Sequence, residues 1–178
     1  MVEIRLERLE HSQQHDFAHK LLGECLAKIG VDYFSEKISY GEYGKPYFEN
    51  LPNIHYNVSH ADGITACYVG GFEAGIDAEP VKRYRPNVVK RVFSEAEKEM
   101  LERSEEKDLL FCRLWTLKES YVKAIGIGVS YPMKNVEFSF ENGTVKSNVE
   151  NCLFNQVTIG NKYIVSLCRI IEKPKIVL

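Results

Sequence analysis

A chain of 178 residues, 44% of them hydrophobic and 27% charged, is long enough to bury a core without a covalent staple, as one domain or two small lobes sharing that core. Its net charge of −2 excludes a general attraction to nucleic acid or to membrane surfaces. Five cysteines (Cys25, Cys67, Cys112, Cys152 and Cys168) lie singly with no CxxC pair, which excludes a zinc ribbon and a disulfide framework and fits a reducing cytoplasm.

At the start of the chain, Val2, Ile4, Leu6 and Leu9 nearly alternate with charged residues, which predicts a half-buried strand rather than a signal peptide. Nowhere do about eighteen apolar residues run together, so no membrane segment is expected. Ser12 is placed to cap a helix whose apolar positions run from Phe17 through Leu21, Leu22, Cys25 and Leu26 to Ile29, with Gly30 as the stop. His11, His15 and His19 share the i,i+4 rhythm of metal-binding helices. No carboxylate partner is evident in the sequence, so they read as the edge of an amphipathic helix.

Ile38 to Tyr43 reads as a strand, after which Gly44 turns the backbone and Pro46 fixes it, setting Lys45 at a rigid corner. A solvated surface lysine and an anion contact are both open readings. Ile54–Ser59 and Thr65–Val69 have strand composition around His60, Ala61, Asp62 and Gly63, predicting a hairpin with Ser59 and His60 near its bend. There they either satisfy turn groups or reach a ligand.

Ala74 to Ala78 is a short strand on which Asp77 and Glu79 project from the same side, and Pro80 closes it. Two like charges about 4 Å apart repel by about 4 kcal/mol at an effective dielectric of about 20, so a cation or a proton must offset them. A basic run from Lys82 to Arg91 follows. Ser94 and Glu97 then form a capping box for a helix reaching about Arg103. A longer helix from about Lys107 ends at Gly126 and Gly128, and the remainder reads as antiparallel strands with Asn- and Gly-bearing turns.

On that longer helix, Trp115, Glu119, Val122 and Lys123 fall near one side, which presents a large ring, an acid and a base together. An exposed i,i+4 link between Glu119 and Lys123 is the plainer alternative. If Glu119 meets Asp77 and Glu79, three carboxylates without Cys or clustered His make a hard oxygen site suited to Mg²⁺, and a phosphate substrate follows. Lys45, His60, Lys123 and Lys118 are then the cations on hand for phosphate charge.

The fragments YGKP (Tyr43–Pro46), YNVSH (Tyr56–His60), GIDAE (Gly75–Glu79), FSEAE (Phe93–Glu97) and WTLKESYVK (Trp115–Lys123) stand in the order and approximate spacing of the Sfp-type (surfactin-type) 4'-phosphopantetheinyl transferases, which this chain resembles. The resemblance implies an α+β fold of two pseudo-twofold-related lobes, each a helix packed on a small antiparallel sheet. The lobes would be residues 1–73 and 74–178, the latter carrying the acids, with the active site between them. It implies transfer of the phosphopantetheine arm of coenzyme A to a serine of an apo acyl or peptidyl carrier protein, with release of adenosine 3',5'-bisphosphate, by a cytoplasmic monomer.

On the matching positions, Asp77, Glu79 and Glu119 are expected to hold Mg²⁺. Lys45, Ser59 and His60 are expected to bind coenzyme A, with Lys123 steadying its phosphates and Lys118, by its charge alone, a further candidate contact. Glu119 is expected to take the serine proton, directly or through a water, with Glu97 as second candidate. The chain departs from the family in lacking most of the basic segment before the first helix, and His19 and Lys20 lie near that place. The basic run Lys82–Arg91 and the loop Ile125–Ser130 are the expected carrier-docking region. Competing readings are another Mg²⁺-dependent phosphoryl-transfer enzyme and a silent carrier-binding module. The carrier's pathway, fatty-acid, polyketide or peptide, is left open.

Overall fold

The computed structural model describes residues 1–172. Its elements in chain order are β1 (Val2–Arg5), α1 (His11–Ala27), β2 (Ile38–Tyr40), β3 (Pro46–Phe48), β4 (His55–Ala61), β5 (Ile64–Gly70), β6 (Ala74–Pro80), α2 (Pro86–Val92), α3 (Glu95–Arg103), α4 (Lys107–Ile125), β7 (Phe138–Glu141), β8 (Thr144–Ser147), β9 (Cys152–Ile159) and β10 (Tyr163–Ile170). They assemble into two three-stranded antiparallel sheets, ordered β1-β5-β4 and β6-β10-β9, with the hairpins β2-β3 and β7-β8 at the margins. Helix α1 packs on the first sheet and α4 on the second, so the α+β class expected from the motifs holds.

Sheet faces follow from alternation. On β5, Cys67 and Val69 face the core under α1, while Ile64, Ala66 and Tyr68 face a second core shared with Ala74, Ile76 and Ala78 of β6. The opposite face of β6 carries Gly75 and Asp77 toward α4. A Cβ at Gly75 would overlap the Ser120 carbonyl and the Ala124 nitrogen, so only glycine lets this helix lie so close to the strand. The outer edge of β6 is covered by side chains of β4: Ile76 N–H donates to Asn57 Oδ1 at 2.8 Å and Ala78 N–H to Ser59 Oγ at 3.1 Å. These two bonds stitch the sheets together.

Four boundaries differ from expectation. Helix α1 is capped two residues earlier, with Glu10 and Gln13 forming its capping box in place of Ser12. Strand β2 stops at Tyr40, because Gly41 N–H turns to the Lys45 carbonyl and closes the β2-β3 hairpin. The basic run is helical over Pro86–Val92, started by a proline at its first turn that needs no N–H partner. Strand β4 extends through His60 to Ala61, and only Asp62 and Gly63 form the turn.

Candidate active site

That last difference relocates Ser59. Paired with Ala66 inside the sheet, it is buried, and its hydroxyl donates to Asp77 Oδ1 at 3.1 Å while accepting the Ala78 N–H. The expectation that it reaches a ligand from a hairpin bend is therefore corrected: Ser59 is a positioning residue for Asp77. His60, the next residue, points to the other side of the strand and is exposed, as a free ligand contact requires.

Asp77 is the centre of the arrangement. It is 4% exposed. Lys123 of α4 crosses to it, its ammonium donating to Asp77 Oδ1 at 2.6 Å, to Ser59 Oγ at 3.3 Å and to the Ile76 carbonyl at 3.3 Å. Asp77 Oδ2 is buried and has no hydrogen-bond partner. Leaving such an atom unpaired costs about 1–3 kcal/mol, a cost native proteins keep where a ligand supplies the partner. Glu119, one turn before Lys123, is half-buried, and burial together with the nearby Asp77 pushes its carboxyl up to about 7, with Glu79 adding to the rise and Lys123 opposing it. Glu79 lies in the same field, but its carboxylate is ion-paired with Lys82.

The three acids thus share one electrostatic site without closing into a cage. Among the described residues, no three His, Cys, Asp or Glu side chains stand so as to hold a metal ion. Lysines pair with two of the acids, Lys123 with Asp77 and Lys82 with Glu79. The donor chemistry still fits a hard dication: all ligands are carboxylate oxygens, and the unpaired Asp77 Oδ2 has the place for one.

Two expected site residues belong elsewhere. Lys118 is fully buried on the far side of α4, where its ammonium pairs with Glu97 at 2.8 Å and donates to the carbonyls of Met133, at 2.9 Å, and Val136. Glu97 is equally buried; its carboxylate also accepts the N–H groups of Ser94 at 2.9 Å and Phe138 at 3.0 Å. A carboxylate closed off in this way cannot meet a substrate hydroxyl, so Glu97 is not a base and Lys118 not a coenzyme contact. Five positions along a helix turn a side chain by about 140°, which separates Lys118 from Lys123.

Lys45 stands between these cases. Its ammonium donates to the Ala124 carbonyl, one of the last carbonyls of α4, and burial pulls its pKa down. Its stem nevertheless lines a cleft of about 200 Å³ together with Tyr43, Pro46, Asn57, Lys123 and Gly126, so the YGKP corner and the far end of α4 form one concavity. Sequence reasoning missed Asn57. Its place two residues before Ser59, on the same strand face, is the available signal.

A sequence model of the 4'-phosphopantetheinyl transferase superfamily matches residues 73–168, the stretch that carries β6, α4 and the acids. The chain belongs to this superfamily. A 4'-phosphopantetheinyl transferase of Bacillus subtilis is 28% identical over 176 residues, covering 91% of this chain and 79% of the relative. The 4'-phosphopantetheinyl transferase Sfp of Bacillus subtilis strain 168 is 34% identical over 137 residues, 71% of this chain and 61% of its own length. Among solved structures, the holo-(acyl-carrier-protein) synthase of Thermotoga maritima is similar at 21% identity over 56% of this chain and 62% of its own, with a TM-score of 0.48. The Sfp-type resemblance read from the five motifs holds.

Proposed function

We propose that this chain transfers the 4'-phosphopantetheine arm of coenzyme A to a serine hydroxyl of an apo acyl or peptidyl carrier protein. The serine oxygen forms a bond to the phosphorus that bears the pantetheine arm, the bond from that phosphorus to the bridging oxygen breaks, and adenosine 3',5'-bisphosphate leaves. The observation that carries this reading is the Asp77 carboxylate, held on one oxygen by Ser59 and Lys123 while the other is unpaired, with Glu119 in the field of the same carboxylate.

Asp77, Glu79 and Glu119 would hold Mg²⁺, with Glu79 released from Lys82. Bound there, the ion supplies positive charge to the diphosphate as it reacts. Lys123 places an ammonium beside the same phosphates. Glu119 takes the serine proton at a carboxylate oxygen, directly or through one water, since Glu97 is sealed in the core. The Lys45 corner and Lys123 line the coenzyme cleft, with Ser59 holding Asp77 in place, and the exposed His60 is a further coenzyme contact.

Residues 1–73 and 74–178 are taken as the two lobes, and a monomer suffices because the cleft is lined from both within one chain. No helix among the described residues is long and apolar enough to cross a membrane, in keeping with a cytoplasmic enzyme. The exposed Arg83 and Arg85 before and at the start of α2 are suited to an acidic carrier, with association slowed when their charges are reversed. The test is to incubate the protein with coenzyme A, Mg²⁺ and several apo carriers and to weigh each carrier by mass spectrometry. Gain of the arm on the carrier serine is expected. No gain on any carrier, with coenzyme A bound, would overturn the reading.

A further inference from the structure

Helix α1 carries a feature that the transfer chemistry does not use. His15 and His19 lie one turn apart with their rings 4.3 Å between centroids, and their Nε2 atoms face each other at 3.1 Å. Each ring has a polar group beside its other nitrogen. Nδ1 of His19 is hydrogen-bonded to the Tyr33 hydroxyl, and Nδ1 of His15 faces the Asp16 carboxylate at 3.5 Å. A carboxylate or hydroxyl on Nδ1 that leaves the Nε2 lone pair outward is the outer-shell pattern of metal-binding histidines. The carboxylate partner that the sequence did not reveal is thus the neighbouring residue, Asp16.

Two imidazole nitrogens at this separation require a proton or a cation between them, because their lone pairs otherwise repel. A tetrahedral ion with Zn–N bonds of about 2.0–2.1 Å sets its ligand nitrogens about 3.3–3.4 Å apart, close to the separation seen. His60 of β4 presents its ring edge-on to His15 at 6.3 Å between centroids. It is exposed and free to rotate inward.

We propose that His15 and His19, completed by His60, form a binding site for a borderline transition dication of the Zn²⁺ class, separate from the carboxylates around Asp77. Nitrogen ligands select such an ion over Mg²⁺, whereas the all-oxygen site does the reverse. As it stands the site is a two-histidine chelate, since no three ligand side chains are in place among the described residues. His60 and water complete the coordination when the ion arrives. The site shares His60 with the proposed coenzyme contact, so its occupancy is read without coenzyme A.

The test uses the full chain without coenzyme A, in excess Mg²⁺ to occupy the carboxylates, titrated with Co²⁺ as an optical probe. Saturable visible absorption of tetrahedral intensity is expected, displaced by Zn²⁺ at one equivalent. His15→Ala should abolish it; this side chain is 70% exposed, so the variant keeps its fold. Asp16→Asn and Tyr33→Phe should each weaken binding about 10-fold through the lost outer-shell partner. His55→Ala, at the far end of β4, should bind like the parent. Three outcomes would each overturn the proposal: no saturable binding by the parent, equal affinity in His15→Ala, or a thiolate-to-cobalt charge-transfer band placing the ion on cysteine.

Discussion

Helix α4 holds two lysine–carboxylate pairs, and they are built for opposite purposes. On its core side, Lys118 and Glu97 are both sealed from solvent, and Ser94, Met133, Val136 and Phe138 supply partners for the charged atoms that the pair itself leaves over. On its other side, Lys123 holds one oxygen of Asp77, while the second oxygen is buried without a partner and a third charge, Glu119, sits alongside. The first pair is complete and therefore structural. The second is incomplete, as the proposed ligand site requires. What separates the two regions is closure of the hydrogen-bond account rather than residue type, since both pair a lysine of the same helix with an acid.

The comparison is tested most severely at the closed pair. Lys118→Ala leaves Glu97 charged and unaccompanied in the core, and a loss of about 3–5 kcal/mol is expected in urea unfolding. A loss below about 1 kcal/mol would mean that the pair is not closed. At the open pair the effects exchange. Asp77→Asn keeps the shape but removes the charge, and the transferase rate should fall about 10²- to 10³-fold while unfolding shifts by less than about 1 kcal/mol. An unfolding loss as large as that of Lys118→Ala would erase the distinction.

Glu119 sharpens the comparison through pH. Its carboxyl titrates at about 7 in the folded chain against 4.5 as a free side chain, so the folded state binds more protons between these values. Stability of the metal-free protein then falls as pH rises from about 4.5 through about 7. The shift corresponds to about 3 kcal/mol when fully expressed. Glu119→Gln should remove that slope, making the metal-free variant more stable than the parent at pH 8 and equal to it near pH 4.5. Parallel pH profiles would show that Glu119 is not held up by burial and the field of Asp77. The smallest effect concerns what brings the open pair together. Gly75→Ala inserts a methyl against the backbone of α4, and a loss of about 1–3 kcal/mol is expected, with a parallel fall in transfer rate. Full activity in this variant would mean that the close approach of β6 and α4 is not needed.

Much of this is legible in the sequence. Ser94 with Glu97 announced α3, the apolar rhythm from Lys107 announced α4, and the turn residues Asp62 and Gly63 announced the β4-β5 hairpin. Alternation placed Asp77 and Glu79 on one side of β6. Two registers were not legible. A hairpin turn two residues shorter than assumed carried Ser59 from the bend into the sheet, where its hydroxyl serves Asp77 instead of a ligand. A lysine among site-like neighbours gave no sign that its side of the helix is covered by residues from Met133 to Phe138.

The amino-acid sequence by itself determined most of the elements, because periodicity, capping and turn chemistry act over a few neighbouring residues, and it carried the motifs of a phosphopantetheinyl transferase, whose resemblance implied the α+β class. Only the tertiary structure decided which charges are free to act. Whether Glu97, Lys118, Asp77 or Glu119 finds its last hydrogen-bond partner depends on groups dozens of positions away. Burial then fixes the outcome, because in a low dielectric a satisfied charge is held in place and an unsatisfied one remains available to a ligand.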